Sequence, residues 1–481
     1  MAVTGNSGGS TGGGIDHAVV IGAGPTGLTA ALELSRLGMA VTVVEKERRL
    51  VGGRSRTIEF MGCRFDIGPQ PLHSENEEVE SFYTRILAYE LCDLAGRARV
   101  LYRGRYLEVP IRRLDALLSL GPAGAVRCLL SLVQARLNPM EEPSSLEDWG
   151  RNQMGARLFS SFHAGYIEKV WGLPAAELSV GSPAEWLDPM APAPKSFQYP
   201  RLGIGQLWQS VAARLESEGH SVRGGEQVVA LRHAGGRVIA LAVRDPYGRT
   251  VDLVGSHFLS TIPISDLIRR LSPAAPVMVR QAAEALSYRN LVTVNVVLDR
   301  SETFPDQWID VFDPSVRVAR ISNSKNFSGA MVADPGLTGL GMEYFCSPAD
   351  DLWATPDGEL LDLGRRELIA LGICEPDEVK AGTVCRQAEA FLLQDGSTEA
   401  YLDVISEWLE GALPNLWVAG THGGWGQALQ ESSIIGGLML ARDIASGLGG
   451  LRPGAGQARA EAEAPERVDI LVGLRSGVAQ R

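Results

Sequence analysis

The clearest chemistry in the chain sits close to its start. Gly22-Ala23-Gly24-Pro25-Thr26-Gly27 follows a short apolar run, Ile15–Ile21, and precedes Leu28, Ala31, Leu32 and Leu34 at helical spacing. A second apolar run, Ala40–Val44, closes on Glu45, 18 residues past Gly27. Strand, glycine turn, helix, strand and acid is the order a dinucleotide requires. Gly22 permits a tight turn, Gly24 lets a pyrophosphate approach without meeting a Cβ, and Gly27 lets the helix pack close to the strand. Pro25 suits the first helical turn, and the helix that begins at Pro25 and Thr26 offers unpaired N–H groups and a partial positive charge to phosphates. A carboxylate at position 45 can accept both ribose hydroxyls of an adenosine half and would repel a 2′-phosphate. Lys46, Arg48 and Arg49 stand beside it, and Lys46 joins the expected cofactor set.

These residues need a large scaffold. The chain has 481 residues, of which 45% are hydrophobic and 21% charged, an ordinary globular composition. Single cores seldom grow past roughly 250–300 residues, so two domains are expected. The fold class expected is α/β (α+β). A Rossmann-type FAD-binding domain would be assembled from 15–72, 203–265 and 396–448. An interleaved helix-and-sheet substrate domain would come from 73–202 and 266–395. Residues 1–14 read as a flexible leader and 449–481 as a mostly flexible tail. The first insert reads as helix-rich. The second carries strand-like runs at Leu291–Leu298, Trp308–Phe312, Arg317–Ile321 and Gly341–Phe345.

Other function classes are disfavoured. The formal net charge of -12 argues against a general nucleic-acid binder. No apolar run reaches the ~18 residues of a membrane span. The most apolar stretch, Leu114–Leu137, is interrupted by Gly121, Pro122, Gly124 and Arg127. It reads as a buried amphipathic hairpin in preference to a helix lying on a bilayer. Six scattered cysteines without a CxxC pair fit reduced thiols and a cytoplasmic location. Seven histidines without ligand spacing predict no metal.

The order GAGPTGLTAALELSRLG, VTVVEK, GGRSRT, FDIG and FQYPRLGIGQLW resembles the flavin-dependent superfamily of amine oxidases, protoporphyrinogen oxidase, phytoene desaturases and UDP-galactopyranose mutase. The likeness continues through LSYRNLVTVNVVLDR, MEYF and LPNLWVAGTHGGWGQALQESSIIGGLMLARDI, so it spans about Ile15 to Ser446. The resemblance implies FAD. Gly53 and Arg54 of the second glycine pair would close over its pyrophosphate, with Gly68 of FDIG nearby. The backbone at Val228 would hold the adenine. Gly420 and Thr421 would lie along the phosphate and ribityl chain. A helix starting near Ile434, capped by Ser432 and Ser433, would face the flavin N1/C2=O edge. With no cysteine between Trp417 and Leu440, the FAD is expected to be non-covalent.

Candidate substrate-facing residues are Pro69, Gln70 and His73, then Arg320, Asn323, Lys325 and Asn326, Glu343 and Tyr344, and His422, Trp425 and Gln427. Of these, Gln70, His73, Lys325, Tyr344, His422 and Trp425 are the catalytic candidates. Plain alternatives exist: hydrogen-bonded loop histidines, a core Trp425, a solvated Lys325 and a Glu343 paired with an arginine. Relatives of the mutase-like subgroup read FDIGGHRFF and GRNGMHRYNNQDHSM, where this chain reads FDIGPQPLH and GTHGGWGQALQESSI. Thr421 stands where a mutase-type arginine would grip a diphosphate, which weakens that reading. The strand Leu291–Leu298 lacks the lysine that amine oxidases often place near N5. The expected function is hydride transfer from a small organic substrate to flavin N5. The alternative is a nucleotide-sugar mutase-like isomerase.

Overall fold

The computed structural model describes residues 16–109, 121–179, 194–420 and 430–447. The expected leader and tail, together with Thr421, His422, Trp425 and Gln427, lie outside the described residues.

A five-stranded sheet carries the glycine turn. Its strands run in the order Leu416–Val418, His257–Ser260, His17–Ile21, Ala40–Glu45 and Ser221–Gly224, and every pairing is parallel. These are nearly continuous apolar runs because both faces of the sheet are covered. One face packs on Leu28, Leu32, Leu207, Trp208 and Ile434, the other on Val228, Leu241, Ile264 and Ile405. The helix Pro25–Arg36 has Gly24 as its N-cap and proline at its first position. It ends at Gly38, whose φ of 87° no β-carbon-bearing residue adopts cheaply. At Gly27 a β-carbon would sit 2.3 Å from the Gly22 carbonyl oxygen, so helix and turn touch through backbone.

The same helix packs closely on the helix Gln430–Ala445. That helix already includes Ser432 and Ser433. The two serines therefore do not cap a helix beginning near Ile434, as the sequence suggested. Ile434 is fully buried in the core.

A seven-stranded sheet forms the opposite layer, in the order Val379–Leu392, Tyr288–Leu298, Thr338–Cys346, Arg320–Asn323, Trp308–Val311, Ala98–Tyr102 and Arg105–Glu108. All eleven residues of Tyr288–Leu298 are buried. The four strand-like runs read in the second insert all appear here. The first insert is less purely helical than expected, because it adds the hairpin Ala98–Tyr102 and Arg105–Glu108. Its two-residue turn, Arg103-Gly104, has φ of 49° and 72°, the positive pair of a type I′ turn.

The helix Gly121–Leu137 contradicts the buried hairpin over the described part of 114–137. Only Cys128 of the helix is buried.

Candidate active site

Between the two sheets lies an open cleft of about 1290 Å³. Twelve of the expected cofactor and site residues line it: Gly22, Gly24, Pro25, Thr26, Glu45, Lys46, Gly53, Arg54, Gln70, Val228, Gly420 and Ser433.

The floor is built by local chain geometry. Glu45 ends its strand with both carboxylate oxygens held: Oε2 accepts from the Ala23 N–H at 2.8 Å, and Oε1 from the Glu47 N–H at 2.9 Å. The acid is thereby fixed beside the glycine turn. The second glycine pair locks onto the first, since Gly52 N–H donates to the Ala23 carbonyl at 2.7 Å. A β-carbon on Gly53 would lie 3.3 Å from the Gly24 Cα. Two glycine-rich segments thus meet backbone to backbone, the cradle a pyrophosphate fits and side chains would fill.

Arg54 is held with its guanidinium 4.3 Å from the Phe391 ring centroid. Burial pulls its pKa down to about 10, which leaves it cationic at neutral pH. The Val228 carbonyl accepts from Arg270 at 2.6 Å, and Arg270 is itself clasped by Asp266. Gly27 lies beneath the turn in a packing role, and Gly68 sits against the Arg54 backbone. Ser432 and Ile434 do not line the cleft.

Two residues with no assigned role connect the layers. Gln430 Nε2 donates to Ser55 Oγ and to Gln70 Oε1. Arg56, itself buried, donates to the Gly53 carbonyl, to Gln387 Oε1 and, at 3.7 Å, to Cys385 Sγ. Both stood inside the motifs GGRSRT and QESS. Their reach across more than 300 residues of sequence left no local trace.

One row of the seven-stranded sheet, outside the cleft lining, is polar. Cys385, Thr293, Glu343, Arg320 and Asp310 are paired in register from strand to strand, so they share a face. Asp310 Oδ1 accepts from Arg320 Nε at 2.9 Å and from the Tyr166 hydroxyl at 3.0 Å. Glu343 is 3% exposed and its Oε1 has no partner among the described residues; Asn295 Oδ1 is likewise buried and unpartnered among them. Burial pushes the Glu343 carboxyl up to about 7, with Arg320 opposing that rise.

Several catalytic candidates fall elsewhere. Tyr344 points to the opposite face from Glu343, into the core, and donates to Glu367 Oε2 at 2.9 Å. Lys325 spends its ammonium on the Ser301, Pro335 and Leu337 carbonyls, tying a loop together. Asn323 and Asn326 also serve backbone groups. His73 is exposed and lies outside the cleft lining. Gln70 is the described catalytic candidate that lines the cleft. Among the described residues no cluster of His, Cys, Asp or Glu could hold a metal.

Comparison with known proteins agrees with this geometry. The chain is 24% identical over 432 residues to a phytoene dehydrogenase of Streptomyces griseus, covering 76% of this chain and 81% of that protein. Its fold matches reduced UDP-galactopyranose mutase with a TM-score of 0.76 at 20% identity, over 90% of this chain and 96% of that one. It also matches cyclohexylamine oxidase from Brevibacterium oxydans IH-35A with a TM-score of 0.65 at 16% identity, over 90% and 100%. These likenesses fix the fold and leave the substrate open. The model of the flavin containing amine oxidoreductase family matches residues 25–445. The glycine cradle, the fixed acid and that match together make the chain a member of this family and a flavin oxidoreductase.

Proposed function

We propose that the protein binds FAD non-covalently and takes a hydride from a small organic substrate. The observation that carries the FAD assignment is Glu45, held by two backbone amides beside two touching glycine loops. A preorganised acceptor at that position suits ribose hydroxyls. In this reading Gly22, Gly24, Gly53 and Thr26 give the pyrophosphate room and backbone donors. Arg54 neutralises it, and the Val228 segment meets the adenine. The domain boundaries given from sequence stand as part of the same proposal.

When bound, flavin supplies a two-electron acceptor at N5. The protein's share is placement. The Gln430–Gln70–Ser55 hydrogen bonds fix one wall of the cleft. Arg56 holds the Gly53 loop to the seven-stranded sheet. All six cysteines are free thiols, which supports a reducing, cytoplasmic setting.

The test begins with the purified protein. It should be yellow, and acid should release all of its flavin as FAD. Anaerobic mixing with candidate amines, alcohols and other donor-bearing substrates should bleach the oxidised flavin band. Colourless protein that added FAD cannot reconstitute would end the proposal. Turnover of a nucleotide sugar only after dithionite reduction would replace it with a mutase-type isomerisation.

A further inference from the structure

We propose that the helix Gly121–Leu137 is an interfacial anchor that docks the enzyme on an anionic phospholipid surface. At 100° per residue, Val126, Leu129, Leu130, Val133 and Leu137 fall within one stripe about 100° wide. Their relative exposures run from 50% to 74%. On the opposite side, Cys128 is buried, and Leu132 meets the Gly155 backbone. Ser131 Oγ accepts from the Arg157 N–H at 3.1 Å. The helix is therefore secured to the protein by one face, and no described residue covers the other.

The charges at the edges select the occupant. Arg127 and Arg136 flank the stripe on its two sides, both are exposed, and neither forms an ion pair among the described residues. The helix contains no acid, although the whole chain carries -12. A generally anionic protein is repelled by an anionic bilayer, so a cationic rim around an apolar face marks where the surfaces can meet. Arginine stems can lie along the apolar boundary while their guanidinium groups reach headgroup phosphates. The helix is about 25 Å long and lies along the surface; it does not cross. In keeping with that, no described helix is long and apolar enough to span a membrane.

The test is sedimentation of the full-length, flavin-loaded protein with phosphatidylcholine vesicles, with and without phosphatidylglycerol. Binding is expected only with phosphatidylglycerol, and it should weaken as salt rises. Replacing Arg127 and Arg136 by glutamine should weaken it roughly fivefold per arginine. The Leu130→Glu/Val133→Glu double variant should abolish binding while the melting temperature and flavin content stay unchanged. Absent vesicle binding, or binding indifferent to these substitutions, would overturn the proposal. A sharp drop in melting temperature in the double variant would also overturn it, by showing that the chain itself covers the stripe. So would a dimer, seen by light scattering, that the double variant dissociates. None of these readouts depends on catalysis, so their failure is separable from failure of the proposed hydride transfer.

Discussion

On the floor of the cleft two glycine segments meet through backbone, and Glu45 has both oxygens satisfied by amides. On the roof, the seven-stranded sheet, two buried acceptors outside the cleft lining, on Glu343 and Asn295, have no partner among the described residues. The floor is thus a finished surface suited to one invariant ligand. The roof carries its unsatisfied acceptors inside the sheet layer. Unsatisfied buried acceptors cost stability, and native structures retain few of them.

The sharpest way to break this contrast is on the floor. Gly27→Ala would drive a β-carbon into the Gly22 carbonyl, which cannot move without the turn. It should cost about 4 kcal/mol and leave the protein without flavin. Denaturant titration and flavin absorbance would measure both. Near-normal stability would show that the helix and turn are looser than described.

The roof makes the opposite prediction. Glu343 has a folded pKa of about 7 against an ordinary 4.5. Its protonated form is favoured in the folded state, so stability falls as pH rises through 4.5 to 7 and stays low above. Glu343→Gln should remove a loss on the order of 3 kcal/mol, making the variant more stable than the parent at pH 8 and similar at pH 4. A smaller slope in the same direction should remain from Asp66, whose burial lifts it to about 6. Parallel stability profiles for parent and variant would refute an ionisable, unsatisfied Glu343.

Gly24→Ala separates packing from cofactor binding within the floor. A β-carbon there meets no protein atom within 4 Å. The melting temperature should hold, while FAD affinity falls by about tenfold or more, ~1.4 kcal/mol. Unchanged affinity would mean that no pyrophosphate passes this glycine. The smallest effect is expected from His73→Ala. The residue is exposed and outside the cleft, so stability should shift by less than about 0.5 kcal/mol and flavin reduction should be unaltered. A large drop in reduction rate would return His73 to the site.

The difference between floor and roof also governs what could be read in advance. The glycine turn, Glu45, the Gly53-Arg54 loop and Val228 were all legible and all reach the cleft. Glu343 and Tyr344 were read together from MEYF, yet adjacent strand residues point to opposite faces. Both faces of that strand are buried, so alternation of polarity could not say which one looks inward. Lys325 looked available because a charged loop residue usually is; three carbonyls supplied by distant turns claimed it. The apolar stripe of Gly121–Leu137 was visible as hydrophobicity, but its exposure depends on what packs beside it.

What the sequence determined by itself was the nucleotide cradle, because a tight turn, a helix start and the acid that closes the next strand are set within about thirty residues by local backbone preferences. What only the tertiary structure decided was the row Thr293, Glu343, Arg320 and Asp310, and the reach of Arg56 and Gln430 to their partners. Those contacts join strands and loops far apart in the chain through sheet register and packing, and a linear pattern carries no record of which distant residue completes a hydrogen bond.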